Sequence, residues 1–216
     1  MRAIATRFSD DGRWWWNGDR WIATTDLQLP QLPITDFERS GALDRSRRRI
    51  KQTKVMSDVF MVEMAIPTSS PLSLIGNALV LPFLVLERRA FRDYRTWTLQ
   101  QLAIATEFVL GPDAPMMAGE TAMYRSSGLA TRDLAVAVTA EHVIVFRIDS
   151  LDGQPRWIAL AARCVDVKLE ARNMRFGPQP SLVITQGGQS WVIRGYPRVF
   201  EPGAVLNAWR HSALMR

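Results

Sequence analysis

Four of the chain's eight tryptophans fall between Ser9 and Trp21, in the run SDDGRWWWNGDRW. Indoles carry no proton-transfer or nucleophilic chemistry. Gathered together they serve contact: stacking, burial of apolar area and donation from the ring N–H. Trp14, Trp15, Trp16 and Trp21 are therefore candidate aromatic contact residues. A second group is cationic. Arg45, Arg47, Arg48, Arg49, Lys51 and Lys54 form one dense stretch, and Arg88 and Arg89 follow downstream. Guanidinium and ammonium groups at that density suit phosphate or anionic-lipid contact.

Catalytic chemistry has little to work with. The single cysteine, Cys164, and the two histidines, His142 and His211, are far apart in sequence. No phosphate-cradling glycine loop, nucleophile elbow or zinc-binding spacing occurs. No carboxylate pair stands out either. The reading is a non-catalytic protein, with no metal, no cofactor and no small-molecule substrate implied. Cys164, at the start of a candidate strand, reads as a small buried hydrophobe.

The chain has 216 residues, 47% hydrophobic and 22% charged, an ordinary globular composition able to bury a core. Its net charge is +6, with 24 arginines and three lysines, and the excess is local. Residues 38–54 hold seven basic and two acidic side chains, a net of +5, whereas 55–86 hold two acidic residues and no basic one. The N-terminal residues lack the apolar core of a signal peptide. With one free cysteine, a cytoplasmic location is expected.

The aromatic run needs a scaffold, and its glycines supply one. Asp11-Gly12 and Asn17-Gly18 are hairpin-type turns. Short strands over Arg13–Trp16 and Arg20–Thr24 would place Trp14 and Trp16 on one face and Trp15 on the other. On these residues, residues 9–21 resemble a small tryptophan-rich module found at the cytoplasmic ends of many bacterial membrane-associated proteins. The resemblance implies no particular chemistry. The indoles could form a micro-core that holds the hairpin together, or an aromatic groove for a peptide or a membrane interface.

Pro30 and Pro33 mark 26–37 as a linker leading into the basic stretch, which ends at 54. Residues 55–110 read as apolar and helical. Leu72–Leu86 is the most apolar run, but it is shorter than the about 20 residues of a span and contains Asn77 and Pro82. Basic flanks on both sides, including Arg88, Arg89 and Arg92, suit a segment that dips into a membrane and returns, bending at Pro67–Pro71, or lies in its interface. The same segment could equally pack in a soluble core. Glu87–Leu110, which follows, reads as an amphipathic helix, with Phe91, Tyr94, Thr98, Leu102, Ala105 and Val109 on one stripe.

Residues 120–213 carry a run of short strands: Thr121–Arg125, Arg132–Val138, Val143–Ile148, Arg156–Leu160, Cys164–Leu169, Leu182–Thr185 and Ser190–Arg194. Gly187-Gly188 is a hairpin turn, and Pro202–Ala213 is a closing helix with Val205, Trp209 and Ala213 on one stripe. Glu120, Leu134–Thr139 and Val143–Phe146, with a terminal helix carrying Trp209, resemble the bacterial PH-like and GRAM-like domains. That resemblance implies an α+β chain with a PH-like seven-stranded β-sandwich or barrel and a C-terminal capping helix. Before it come a helical segment and the small N-terminal tryptophan hairpin. It also implies a binding scaffold, with Arg125 and Arg132, beside Ser126-Ser127-Gly128, as the nearest candidate for a headgroup loop. Arg172 and Arg175 are a second candidate.

The organisation expected is thus a tryptophan hairpin at 1–25, a linker and basic stretch at 26–54, an apolar or amphipathic helical segment at 55–110 and a PH-like domain at 120–213. The function expected is a binding or adaptor role at the inner membrane face, with anionic lipid, a membrane protein or another protein as partner. Two other readings stand beside it: a soluble protein–protein interaction module with 55–110 in a core or oligomer interface, and a nucleic-acid-binding protein using 38–54.

Overall fold

The computed structural model of the chain describes residues 8–9, 11–49, 71–122, 134–149, 154–173, 180–195 and 199–214, without the side chains of 71–85 and 87. Its chain is mixed α+β and falls into two compact units. One unit holds the described residues up to Pro33 together with those from Thr98 onward; the other runs from Ile34 to Trp97.

The larger unit begins with a two-stranded antiparallel ribbon, β1 (Trp14–Trp16) and β2 (Trp21–Ala23). A 3₁₀ turn at Thr24–Asp26 follows. The stretch read as a linker then behaves as a strand substitute. Gln28 bridges Trp157, the Leu29 N–H donates to the Arg156 carbonyl at 2.8 Å, and Leu27, Leu29 and Leu32 are buried. Prolines at 30 and 33 forbid a continuous ladder, but three leucines at spacings of two and three supply enough apolar area to hold the chain down.

Among the described residues seven strands lie beyond residue 117. β3 (Ala118–Thr121), β4 (Leu134–Val138), β5 (His142–Ile148) and β6 (Pro155–Arg163) form an antiparallel sheet in sequence order. β7 (Lys168–Asn173), β8 (Pro180–Gln186) and β9 (Gln189–Arg194) form a second antiparallel sheet. Neither sheet closes into a barrel. The first expected strand begins earlier than its sequence placement, at Ala118, and residues 123–125 and 132–133 of the expected strands lie outside the described residues.

One strand assignment needs correcting. Cys164–Asp166 is a 3₁₀ turn, and the strand expected at Cys164–Leu169 starts only at Lys168. Val165, Val167 and Leu169 have the spacing of one strand face, but Val165 is exposed while the other two are buried. An Arg163–Asp166 ion pair at 2.9 Å spans the turn.

The four-stranded sheet is buried on both faces. Val136, Val138, Val143 and Val145 pack toward Leu182, Ile184 and Ile193 of the second sheet and toward Val205 and Leu206. Ala135, Ala137, Ile144 and Phe146 pack toward Leu102, Ala105 and Val109 and toward Trp15 and Leu29. Double burial explains why Leu134–Val138 and Val143–Phe146 are continuous apolar runs rather than alternating ones.

The helix expected over Pro202–Ala213 is α4, at Pro202–Leu214. The fully buried Glu120 carboxylate accepts the Glu201 N–H at 2.8 Å, just ahead of the first turn, and so satisfies a backbone donor at the helix start. At its far end the Trp209 indole N–H donates to the Cys164 carbonyl at 2.9 Å, and the Ser212 hydroxyl donates to the Thr139 carbonyl at 3.1 Å.

The smaller unit contains α1 (Asp36–Arg39), with a capping box between Thr35 and Glu38, and a second helix, α2, at 42–49. The third helix, α3 (Pro71–Leu110), belongs to this unit as far as Trp97 and to the larger one from Thr98. The apolar run 72–86 and the amphipathic stretch 87–110 are one helix of 40 residues running through Pro82. An interior proline removes one backbone hydrogen bond, but its fixed φ is helical, so long flanking helix on both sides carries the chain past it. Of the expected stripe, Thr98, Leu102, Ala105 and Val109 are buried, whereas Phe91 and Tyr94 are half-buried. Among the described residues no helix is long and apolar enough to cross a membrane. The run 55–70, including most of the expected Pro67–Pro71 bend, lies outside the described residues.

Candidate aromatic contact site

The ribbon is built by short polar side chains tying down backbone. The Ser9 hydroxyl donates to the Asp11 carboxylate at 2.6 Å, and the Arg13 N–H donates to the same oxygen at 3.0 Å. The hydrogen bond from Ser9, then that from Arg13, holds the Asp11 carboxyl below the usual carboxylate range. At the other turn the Asn17 side-chain oxygen accepts the N–H groups of Asp19 and Arg20 at 2.8 and 2.7 Å. That is the local capture which suits asparagine to turns. The Thr24 hydroxyl donates to the Gly12 carbonyl at 2.8 Å, closing the ribbon's base.

Strand alternation then divides the indoles. Trp15 faces inward and is 6% exposed, and its ring N–H donates to the Val109 carbonyl at 3.0 Å. That carbonyl lies in the last turn of α3, where helix carbonyls lack intrahelical donors. The ring also stacks on Phe108, with centroids 6.4 Å apart and planes 22° apart. Trp14, Trp16 and Trp21 face outward and are 48%, 37% and 49% exposed. Trp16 and Trp21 are directly opposed across the strands, their rings 5.5 Å apart and tilted at 56°. The indoles therefore separate: Trp15 is part of the main core, and Trp14, Trp16 and Trp21 form an outer aromatic face. Phe108 is a member that the sequence did not single out; it sits beside the Ala105–Val109 stripe in a helix with no local signal to mark it.

The basic candidates divide as well. α2 presents Arg45, Arg48 and Arg49 as exposed residues, and Arg88 and Arg89 are exposed on α3. Arg45 donates to the Ser40 carbonyl at 3.0 Å. Arg47 is half-buried, with its guanidinium 5.3 Å from the centroid of the fully buried Trp97, which also meets Tyr94 at 5.5 Å. That is a cation–π contact inside the unit. Lys51, Lys54, Arg125, Arg132 and Arg175 lie outside the described residues. Arg172 is paired with Glu170 at 3.0 Å, and the Lys168 ammonium, then Arg172, holds the Glu170 carboxyl below its usual range.

Cys164 is buried, as expected of a small hydrophobe, with its thiol 3.8 Å from the Thr139 carbonyl. His142 is buried with its ring 6.1 Å from that of Phe8. Among the described residues no cluster of three or more histidine, cysteine, aspartate or glutamate side chains is placed to hold a metal ion. What the arrangement can do is present a firmly anchored aromatic face. Comparison of the chain with known protein families and with curated proteins finds no match in either.

Proposed function

We propose that the chain is a non-catalytic binding or adaptor protein that works at the cytoplasmic face of a membrane, with a PH-like module as its scaffold. The observation that carries this reading is the outward face of Trp14, Trp16 and Trp21 on a ribbon whose opposite face is anchored in the core by Trp15. Leaving three indoles about half exposed forgoes apolar burial, a cost that a purely structural ribbon has no reason to bear. Four strands, then three, then a helix supported by Glu120 and Trp209 favour the PH-like assignment. Arg45, Arg48, Arg49, Arg88 and Arg89 add exposed cations suited to anionic headgroups.

The test is co-sedimentation of the full chain with vesicles of phosphatidylcholine and phosphatidylglycerol at low ionic strength. Depletion from the supernatant is the expected result. A chain that stays in the supernatant at every lipid concentration rejects the membrane reading.

A further inference from the structure

We infer that the outer face of the β1–β2 ribbon is a lipid-interface probe, its indoles seating at the headgroup level of a bilayer independently of headgroup charge. The inference deepens the membrane reading above and rests on it.

Three observations select a bilayer over other occupants. The first is local form. Residues 17–20 at the ribbon's turn are all exposed, and the space where a side chain on Gly18 would stand is open. An aromatic face beside a projecting turn suits a soft, flat surface, whereas a bound peptide needs walls on both sides.

The second is charge. Residues 9–21 hold three acidic side chains, Asp10, Asp11 and Asp19, against Arg13 and Arg20, a net of −1. Arg13 lies 3.8 Å from Asp11. A face of that charge offers nothing to steer a polyanion, so base stacking on nucleic acid is disfavoured despite the exposed rings. Zwitterionic headgroups match it.

The third is the state of the ring N–H groups. The buried Trp15 and the half-buried Trp209 donate to carbonyls. Trp14, Trp16 and Trp21 have no indole hydrogen bond among the described residues, so each presents an apolar ring and a donor together. That combination places tryptophan at membrane–water boundaries, where the ring meets acyl chain and the N–H meets water or ester oxygen. Because the ribbon is fixed through Trp15, the rings are held out before contact, which lowers the ordering cost.

The experiment measures binding to pure phosphatidylcholine vesicles, and to vesicles containing phosphatidylglycerol, at low and high salt. It compares the full chain with a Trp14→Ala/Trp16→Ala/Trp21→Ala variant. Expected is salt-insensitive binding to phosphatidylcholine, weakened about a hundredfold in the variant, as follows when a quarter or so of each ring's area leaves water. A second measurement needs no variant: 5-fluorotryptophan in the unmutated chain, read by ¹⁹F NMR with doxyl-labelled lipid. Three resonances should broaden, and the buried rings should not. Binding to phosphatidylglycerol vesicles that salt abolishes, with no broadening, overturns the ribbon's role and leaves the membrane reading standing on the arginines. No binding to any vesicle overturns both. Protection of the same three resonances without lipid, growing with protein concentration, assigns the face to a second copy and overturns the inference.

Discussion

The tryptophan ribbon and the arginine helix α2 are both dense runs of one residue type, yet the fold treats them differently. Strand alternation sends one ribbon indole inward and leaves its neighbours out, so a single run yields an anchor and a contact face. α2 divides its arginines at helical spacing: Arg47 is drawn over Trp97, while Arg45, Arg48 and Arg49 stay exposed. Residue density therefore does not measure available surface. The period of the backbone does, once it is known which face is covered.

The contrast can be broken first at Trp15. Trp15→Ala should cost about 3–5 kcal/mol of unfolding free energy, the range for a large aromatic lost from a core, read by chemical denaturation. A loss below about 1 kcal/mol would mean that the ribbon is not anchored. Gly12→Ala comes next. Gly12 has φ +68°, and an added Cβ would stand at a forbidden distance from the Ala161 carbonyl oxygen. Strain of about 1–3 kcal/mol is expected before the clash is counted, with the near-ultraviolet circular dichroism of the indoles diminished. Full stability in this variant would mean that the ribbon does not sit against β6.

Smaller effects sharpen the other side. Arg47→Met keeps an unbranched apolar stem and removes the charge, and should cost about 0.5–2 kcal/mol by thermal melting. Arg48→Met should be near neutral by thermal melting. Equal effects at the two positions would erase the distinction within α2. Trp14→Ala or Trp21→Ala alone should shift stability by no more than about 1 kcal/mol, several-fold less than Trp15→Ala.

The smallest effect is in pH. Asp11 titrates below its unfolded value, so its hydrogen bonds favour the folded state above the ordinary carboxylate pKa near 4. That contribution is lost as pH falls through the lower folded value. The carboxylate is exposed, so the effect should be a small acid-side loosening of the Ser9–Arg13 turn, seen as coincident NMR titrations of Asp11 and the Arg13 amide. An Asp11 carboxyl titrating at its ordinary value would remove the turn's polar lock.

Much of the ribbon was legible before any coordinates. Asp11-Gly12 and Asn17-Gly18 turn because their glycines reach positive φ, and the alternation of Trp14, Trp15 and Trp16 follows from the strand period. α4 was legible for the same reason: Pro202 and the Val205/Trp209/Ala213 spacing are local signals. Val165 shows where local pattern fails. It lies inside the strand expected over Cys164–Leu169, and a 3₁₀ turn leaves it in solvent. Pro82 interrupts Leu72–Leu86 as a local pattern, yet the helix Pro71–Leu110 runs through it, because helix propagation on both sides outweighs one lost hydrogen bond.

The amino-acid sequence by itself determined where the ribbon turns, where most of the strands and the closing helix lie, and that indoles and guanidinium groups dominate the chemistry. Tertiary structure decided which members of each group stay outside. Trp15 is core only because the last turn of α3 offers the Val109 carbonyl and the four-stranded sheet offers an apolar face, both more than 90 residues away. Leu27, Leu29 and Leu32 stop being a linker only because β6 presents a free edge at Arg156 and Trp157. Periodicity sorts residues onto faces, but which face loses its water depends on distant partners that no local pattern encodes.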